Sequence, residues 1–528
     1  MNMALTKTTR PPAGIAPAVE QIVIGKDILE LVSSSMYVDP MTVYREYVQN
    51  AADAIDLARA EGMIAADEPG VVEIAFDTPS RTVRIRDNGA GVPWDRFVRT
   101  LTGLGGSAKR GTQARGFRGV GRLAGLGYAQ ELVFRSRADG EDEVSELRWD
   151  CRRLKALLRS TEFSGGVADL IAQVVTVARI PASDEPRRFF EIELRGIVRL
   201  RSDRLLTPAA VAEYLSQVAP VPFSPDFSFG AEISSAMRAT MQPADLHIYV
   251  NGAETPLYRP HRDTFDAGAG RMLAYEGVEI RHVPDMDGAP AALAWVLHHP
   301  YEGAIPVANL VKGLRLRSGD VQVGGGAVLE ELFAEQRFNA WSVGEVHVLD
   351  RRIVPNGRRD DFEQNAHLNN LINQLAPLAR EISRRCRSNS IKRNWVRRFQ
   401  LGGTAVQETI DALAQGSIGA AERDTAAGSA LDTLAEMDRI AAMPLLAGDE
   451  GDALTEAAAT LRSALDANAA PRAFDDSPLA ALPPVERAGY ERMFELIYEC
   501  SVNRVAARKL IDRITTKVTL PLNERLTT

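Results

Sequence analysis

The sequence predicts an α+β protein with more than one domain, and three patterns along its 528 residues support this class. Residues 21–210 open with helix-period apolar spacing and continue as alternating strands. Residues 211–365 mix strand and helix signals again, which favours an α/β middle domain. Residues 366–528 keep helix-period spacing almost throughout, so we expect a mostly α C-terminal region. A chain of this length is too long for a single hydrophobic core.

Composition narrows the class of protein further. Lys and Arg number 62 against 70 Asp and Glu, and the resulting net charge of −8 argues against a general nucleic-acid coat. The cysteines and histidines show no metal-ligand spacing, so we expect no disulfide framework and no structural metal. Residues 1–20 lack a signal-peptide core and no long apolar run follows, which predicts a flexible arm and a cytoplasmic protein without a membrane span.

The N-terminal elements follow one another in a simple order. Apolar spacing predicts helices through residues 21–62, with a break at Asp39-Pro40. Alternating apolar residues then predict strands at residues 71–76, 83–86, 131–136, 143–149 and 189–194. Because helices precede strands that are joined by turns, we expect one α+β domain that ends near residue 210.

The second half of the chain divides into a mixed part and a helical part. Leu246–Val250 followed by Asn251-Gly252 predicts a strand and a hairpin turn in the middle domain. Further strands are predicted at residues 291–297, 313–317 and 346–349. We expect the helical region after residue 366 to serve dimerisation or partner binding.

The helix through residues 44–58 carries the strongest chemical signal. Glu46, Asn50 and Asp53 are four and three positions apart, so they share one face of a helix. Two carboxylates and an amide that face one pocket suit a hydrated metal ion and a water molecule that is to be activated. A solvated amphipathic face is the alternative interpretation of this spacing.

A second signal follows the predicted strand at residues 83–86. Asp87 ends this strand, and the flexible glycines Gly89 and Gly91 come directly after it. A carboxylate at a strand end, followed by flexible glycines, can accept a hydrogen bond from an amine in a tight pocket. A plain Asp-Asn-Gly turn is the alternative.

A third signal is the glycine-rich stretch 103–127, which has nine glycines in 25 residues. Glycines allow positive φ and expose backbone N–H groups, and such groups build phosphate cradles. The stretch does not follow a strand in a βαβ unit, and it lacks the Gly-Lys-Ser/Thr ending of a Walker A loop. The sequence therefore argues against a dinucleotide-binding fold and against a P-loop enzyme.

In this order and spacing, the three motifs resemble the N box, G1 box and G2 box of the GHKL superfamily. They are most similar to those of the ninety-kilodalton heat-shock chaperones (heat shock protein 90). That family's helix pattern Arg-Glu-x-x-x-Asn-Ala-x-Asp-Ala stands here at residues 45–54, and its lid motif Gly-x-x-Gly-Val-Gly stands at residues 116–121. The resemblance implies a Bergerat-type ATPase sandwich of helices on an antiparallel or mixed sheet, ATP and Mg²⁺ as ligands, and a homodimer.

The resemblance also implies a role for each matching residue. Glu46 would be the general base, Asn50 would bind Mg²⁺ through its amide oxygen, and Asp87 would accept the adenine amine. The other implied nucleotide contacts are Asp53 on the adenine or ribose side, Gly89 and Gly91 in the base-binding turn, Ser107, Lys109 and Gly116 in the lid, and Gly119, Val120 and Gly121 at the phosphates. The strand at residues 189–194 departs from the family, because no Gly-Thr precedes it.

A fourth motif lies far along the chain, at residues 346–361. It resembles the chaperone's middle-domain catalytic loop, on which Asn356, Arg359 and Asp360 match the loop's Asn, Arg and acid. Arg359 would then meet the γ-phosphate, where negative charge builds during transfer. By charge alone Arg358 is an equal candidate and Lys312 a weaker one, and an exposed surface cation is the alternative for each.

Four functions stay open on the sequence. The first is an ATP-hydrolysing, chaperone-like clamp that closes on a client protein. The second is a MORC-like or MutL-like ATPase that acts on DNA through the basic helix 380–398. A histidine kinase is less favoured, because little chain precedes Glu46 to hold phosphoacceptor helices. The fourth is a nucleotide-sensing scaffold that binds ATP without turnover.

Overall fold

The computed structural model describes residues 39–65, 67–104, 119, 121–199, 202–244, 246–416, 420–469, 478–502 and 504–519. These residues form two compact units that divide between Ser383 and Arg384. The first unit contains two large sheets with helices against them, and the second unit is helical. The α+β class is therefore confirmed.

A seven-stranded mixed sheet organises the N-terminal part of the first unit. Its strand order is β5-β4-β3-β6-β2-β1-β7, and every pair is antiparallel except β1 with β7. The strands are β1 Gly70–Asp77, β2 Thr82–Asp87, β3 Glu131–Arg137, β4 Glu143–Asp150, β5 Val175–Pro181, β6 Phe189–Arg195 and β7 Leu246–Val250.

The helices of the first unit supply the other layer of its cores. They are α1 Thr42–Ala60, α2 Trp94–Thr102, α3 Cys151–Arg159, α4 Val167–Val174, α5 Pro208–Val218 and α6 Gly230–Thr240, with a 3₁₀ helix at Gly121–Gly127. On α1, Val48, Ala52 and Ile55 recur at helical spacing and are fully buried. They lie in one hydrophobic core with sheet residues such as Ile74 and Phe134, so α1 is fixed against the sheet.

The strand Leu246–Val250 does not lie in the middle sheet, where the sequence pattern had placed it. It pairs in parallel with β1 and forms one edge of the first sheet. Chain order suggested the middle domain, but strand pairing is a long-range event that local alternation does not encode. The N-terminal sheet therefore includes a strand from beyond residue 210.

A five-stranded sheet organises the middle part of the first unit. Its order is β10-β11-β14-β12-β13, with β12 and β14 parallel and the other pairs antiparallel. The strands are β10 Gly277–Pro284, β11 Pro290–His298, β12 Gly313–Ser318, β13 Val321–Gln322 and β14 Val343–Val348, beside a small hairpin of β8 Thr264–Asp266 and β9 Met272–Ala274.

A buried ionic cluster fixes the centre of this middle sheet. Glu345 on β14 is fully buried and contacts Arg259, Arg317 on β12 at 2.6 Å and His347 at 3.1 Å. Burial raises the pKa of Glu345, but the two guanidiniums and His347 outweigh burial and hold that pKa well below its usual range. Breaking such a buried pair costs about 3–5 kcal/mol, so β12 and β14 are held firmly together.

The long helix α7 Ala366–Gln415 runs from the first unit into the second. The remaining helices are α8 Ala420–Ala441, α9 Asp449–Ala469, α10 Pro484–Cys500 and α11 Arg504–Thr519. The acidic residues Asp449, Glu450 and Asp452 lie in the first turn of α9, where negative charge stabilises a helix N-terminus. Among the helices that the structure describes, none is long and apolar enough to cross a membrane.

Candidate active site

The helix α1 turns its polar face into the protein. The side chains of Glu46 and Asp53 are buried, at 4 % and 8 % exposure, and Asn50 between them is half-buried. A solvated amphipathic face would leave all three exposed, so that alternative is wrong. Because burying a carboxylate is costly unless its charge is compensated, the partners of Glu46 matter most.

Two arginines compensate the carboxylate of Glu46. Its Oε1 lies 3.4 Å from Nε of Arg359 and 3.7 Å from Nη2 of Arg45. No described residue donates a hydrogen bond to this oxygen. Arg45 also donates from Nη1 to the backbone carbonyl of Arg359 at 3.2 Å. The carboxylate is therefore held by charge, while one of its oxygens keeps its capacity to accept a proton.

The structure separates the three candidate cations of the middle domain. Arg359 is 8 % exposed and meets Glu46, whereas the neighbouring Arg358 is exposed. Lys312 is half-buried, and among the described cations only Arg45 and Arg359 lie within ion-pair distance of Glu46. Charge alone could not decide between Arg358 and Arg359, and only the resemblance to the catalytic loop favoured Arg359.

The loop that carries Arg359 is closed by its own polar side chains. Nδ2 of Asn356 donates to Oδ1 of Asp360 at 2.6 Å, and the Asp360 amide donates back to the Asn356 side chain at 3.3 Å. The backbone of Arg359 adopts φ +63°, a left-handed conformation that few non-glycine residues take. Asn356 and Asp360 therefore clamp the two ends of a tight turn whose inner residue is Arg359.

The turn after β2 lies directly against α1. Asp87 is 5 % exposed, and its Oδ1 accepts a hydrogen bond from the Gly89 amide at 2.9 Å. A Cβ on Gly89 would overlap Ala54, and a Cβ on Gly91, which has φ +70°, would overlap the carbonyl oxygen of Arg137. The two glycines thus have a packing reason to be there, besides any contact with a ligand.

Arg188 stands immediately before β6, where the sequence lacks the expected Gly-Thr. Its Nη1 donates to the carbonyls of Asn88 and, at 3.1 Å, Gly89, and its Nη2 donates to the carbonyl of Met63 at 2.8 Å. One guanidinium therefore ties the turn that bears Asp87 to the segment that follows α1. Sequence reasoning missed this residue, although its position beside the missing motif could have drawn attention to it.

Part of the glycine-rich stretch lies outside the described residues, including Ser107, Lys109, Gly116 and Val120. Gly119 has φ +71°, and Gly121 begins the 3₁₀ helix at Gly121–Gly127. A Cβ on Gly121 would overlap Oε2 of Glu46, so the backbone there passes directly over the carboxylate. The structure thus brings Gly121 to Glu46.

Arg122, which sequence reasoning also missed, holds this stretch at two points. Its Nη2 donates to the carbonyl of Gly103 and to the carbonyl of Gly119, both at 3.0 Å. Burial lowers the pKa of the Arg122 guanidinium. One side chain therefore links Gly103 to Gly119.

The mixed sheet, the buried acidic helix and the glycine stretch over its carboxylate define the class of protein. Residues 38–162 match the family described as "Histidine kinase-, DNA gyrase B-, and HSP90-like ATPase". The N-terminal part of the chain is thus a GHKL-type ATPase domain. This match does not extend to the rest of the chain.

The chain also shows distant sequence similarity to chaperones. It is 28 % identical over 208 residues to the chaperone protein HtpG of Bordetella pertussis, covering 36 % of this chain and 31 % of that protein. It is 30 % identical over 142 residues to HtpG of Burkholderia lata, covering 24 % and 22 %. It is 27 % identical over 201 residues to HtpG of Chromobacterium violaceum, covering 35 % and 30 %. The chain therefore spans less than a third of the length of these relatives.

Proposed function

We propose that the chain hydrolyses ATP to ADP and phosphate, with Glu46 as general base and Arg359 as the cation that meets the γ-phosphate. The observation that carries this proposal is the approach of Arg359 Nε to 3.4 Å from Glu46 Oε1. A general base must lie within reach of the water that it deprotonates, and an arginine must lie where phosphoryl charge develops. Both requirements are met when the two side chains meet at one point.

The donor set also fits a magnesium ion that arrives with the nucleotide. Mg²⁺ binds through one or two protein oxygens together with substrate phosphates. The half-buried amide of Asn50, one helical turn from Glu46, offers one such oxygen. No cluster of three metal-ligating side chains occurs in the described part of the chain. When bound, the ion would neutralise phosphate charge.

The chemistry then assigns each proton and bond. Glu46 accepts a proton from the attacking water, the water oxygen bonds to the γ-phosphorus, and the bond to the bridging oxygen breaks to release ADP. Arg359 leaves the carboxylate and turns to the phosphoryl oxygens as their charge develops. Asp87 accepts a hydrogen bond from the adenine amine. Asp53 lies on the same face of α1 as Glu46 and Asn50, about one turn beyond Asn50.

Dependence on magnesium tests the hydrolytic part of this proposal. Phosphate release is measured at saturating ATP with Mg²⁺ and again with excess EDTA. Release that requires Mg²⁺ and yields one phosphate per ADP supports the proposal. Release that survives EDTA would contradict the role given to Asn50.

The turn held by Arg188 gives a prediction about affinity. Arg188→Ala should raise the Kd for ATP about tenfold, because three hydrogen bonds that hold the Asp87 turn are lost. Turnover at saturating ATP should change little. Isothermal titration calorimetry measures the Kd, with the adjacent exposed Arg187→Ala as control. Equal Kd values for both variants would show that the turn does not need Arg188.

The close approach of Gly121 gives a prediction about turnover. In Gly121→Ala the added methyl group must displace the Glu46 carboxylate. Since misplacing a catalytic group by about 1 Å costs about 100-fold, turnover should fall by that order. Gly277→Ala is the control, because a Cβ there meets nothing within 4 Å. Wild-type turnover by Gly121→Ala would mean that Glu46 is not the base.

At the level of the whole protein, we propose a chaperone-like clamp in which two subunits close on a client protein when ATP orders the glycine-rich segment. The distant similarity to HtpG supports this. Light scattering after size exclusion tests it, with a nonhydrolysable ATP analogue compared with ADP. A stable dimer of smaller radius with the analogue supports closure. A monomer in both states would contradict the clamp.

A second candidate is action on DNA, which exposed arginines on α7 such as Arg384 and Arg397 favour. The structure lowers the available charge, because Lys392 pairs with Glu450 at 2.5 Å and Arg398 pairs with Glu436. Fluorescence anisotropy with duplex DNA at several salt concentrations decides between the chaperone-like clamp and action on DNA. Binding with a steep salt slope favours action on DNA, and no binding at low salt excludes it.

ATP binding without turnover would instead favour the nucleotide-sensing scaffold.

A further inference from the structure

The left-handed backbone of Arg359 is supported from outside its own turn. A left-handed conformation is sterically unfavourable for a non-glycine residue. At φ +63° the Arg359 carbonyl accepts two hydrogen bonds, one from Nη1 of Arg45 at 3.2 Å and one from the Gly324 amide at 3.0 Å. Arg45 belongs to the helix of the ATPase domain, whereas Gly324 follows the β12–β13 hairpin. The hairpin is therefore the part of the middle domain that fixes the Arg359 backbone.

Gly324 lies flat against the catalytic turn. Its φ is +66°, and a Cβ there would overlap both the carbonyl oxygen of Asp360 and the side chain of Val328. Only glycine permits this approach. The backbone of Gly324 therefore joins the segment after the hairpin directly to the turn that carries Arg359.

Gln322 holds Gly324 through its carbonyl, which belongs to the next peptide group along the chain. Its side chain is buried, at 3 % exposure, and Nε2 donates to the Gly324 carbonyl at 2.9 Å. Its Oε1 accepts from Nη1 of Arg315 at 3.1 Å. A guanidinium has only donors, so the amide oxygen must face Arg315 and the amide nitrogen must face Gly324. The orientation of this amide is thus decided by its surroundings.

Arg315 is itself a fixed support. It lies on β12 opposite Glu345 of β14, within the sheet that the buried ionic cluster holds together. Burial lowers the pKa of Arg315 to about 10, so it remains a cation at neutral pH. Its Nη1 has a second acceptor, Oε1 of Gln217 at 3.1 Å. Gln217 does not contact Gly324, so it shares the support without sharing the connection to Arg359.

We propose that Gln322 is a positioning residue for Arg359, acting through the backbone of Gly324. The inference rests on the proposed function, since Arg359 matters only if it serves the phosphoryl transfer. Gln322 does not touch the reacting atoms. It fixes the backbone from which the Arg359 side chain reaches them.

The variant that tests this is Gln322→Glu. One carboxylate oxygen still accepts from Arg315, but the other faces the Gly324 carbonyl, where two acceptors repel. The matched control is Gln217→Glu, which keeps its acceptor toward Arg315 and loses only a bond from Nε2 to Glu213 within its own helix. If Gln322→Glu does not fold, Gln322→Met removes both hydrogen bonds without adding a charge.

Hydrogen–deuterium exchange of the full chain without nucleotide measures the positioning itself. Peptides that cover residues 321–326 and 355–362 should exchange faster in Gln322→Glu than in the wild type and in Gln217→Glu. Unchanged exchange in both peptides would overturn the proposal. This measurement needs no turnover, so it decides the positioning even if the chain proves not to be an ATPase.

Turnover measures the consequence for Arg359. Gln322→Glu should lower kcat about tenfold with little change in the Kd for ATP, because a lost buried hydrogen bond is worth that much. In an Arg359→Ala background the same substitution should have no further effect. An equal further loss there would mean that Gln322 acts elsewhere and would overturn the proposal. If the wild type shows no turnover but Gln322→Glu still exchanges faster, the proposed ATPase activity is refuted and the positioning role of Gln322 stands.

Discussion

Replacing Glu46 by alanine is expected to abolish ATP turnover while ATP still binds. The Glu46 carboxylate is buried and lies beside Arg45 and Arg359, where the proposal places the attacking water. Loss of a general base slows a reaction by about 10²–10⁴-fold. Phosphate release measures the rate, and calorimetry measures binding in the same preparation.

Two further variants make the Glu46 result specific. Glu46→Gln keeps the size of the side chain but cannot accept the proton at the same oxygen, so it should be as slow as Glu46→Ala. Glu61→Ala removes an exposed carboxylate just after the same helix and should turn over like the wild type. A fast Glu46→Gln would assign the deprotonation to another group.

Replacing Arg359 by alanine is expected to give the second-largest loss. The variant lacks the guanidinium that lies beside Glu46, so the developing phosphoryl charge loses its cation from the middle domain. Removing one such group costs about 100-fold in kcat. The Kd for ATP should change less, because the interaction grows stronger in the transition state.

The adjacent residue supplies the control for this variant. Arg358→Ala removes the same charge from an exposed position in the same turn, and it should leave kcat unchanged. Arg359→Lys should recover only part of the rate, since an ammonium lacks the planar guanidinium. If Arg358→Ala were slow and Arg359→Ala fast, the sequence match to the catalytic loop would be shifted by one residue.

Much of the first sheet could be predicted from sequence because most of its strands alternate buried and more exposed side chains. The strands Glu131–Arg137 and Phe189–Arg195 appear close to where alternation placed them. Val175–Pro181 escaped prediction because it pairs only with β4 at the sheet edge and exposes most of its side chains. An edge strand of that kind carries no alternation that a sequence pattern can reveal.

The site itself was only partly predictable. Spacing on one helix put Glu46, Asn50 and Asp53 on a common face, because helical geometry is local. The approach of Arg359 could be inferred only through a family resemblance, since Arg45 and Arg359 are 314 positions apart in sequence. The bonds from Arg188 to backbone carbonyls leave no sequence signature, because any carbonyl is an acceptor.

The most direct test of the central claim is one steady-state ATPase assay with Mg²⁺, run on wild type, Glu46→Ala, Arg359→Ala and Arg358→Ala, each shown to bind ATP. The claim is that Glu46 and Arg359 form one active site from two parts of the chain. It predicts turnover by the wild type and Arg358→Ala, slow turnover by Arg359→Ala and none by Glu46→Ala. ATP binding by all four proteins with no wild-type turnover, even with DNA or unfolded protein added, would contradict it.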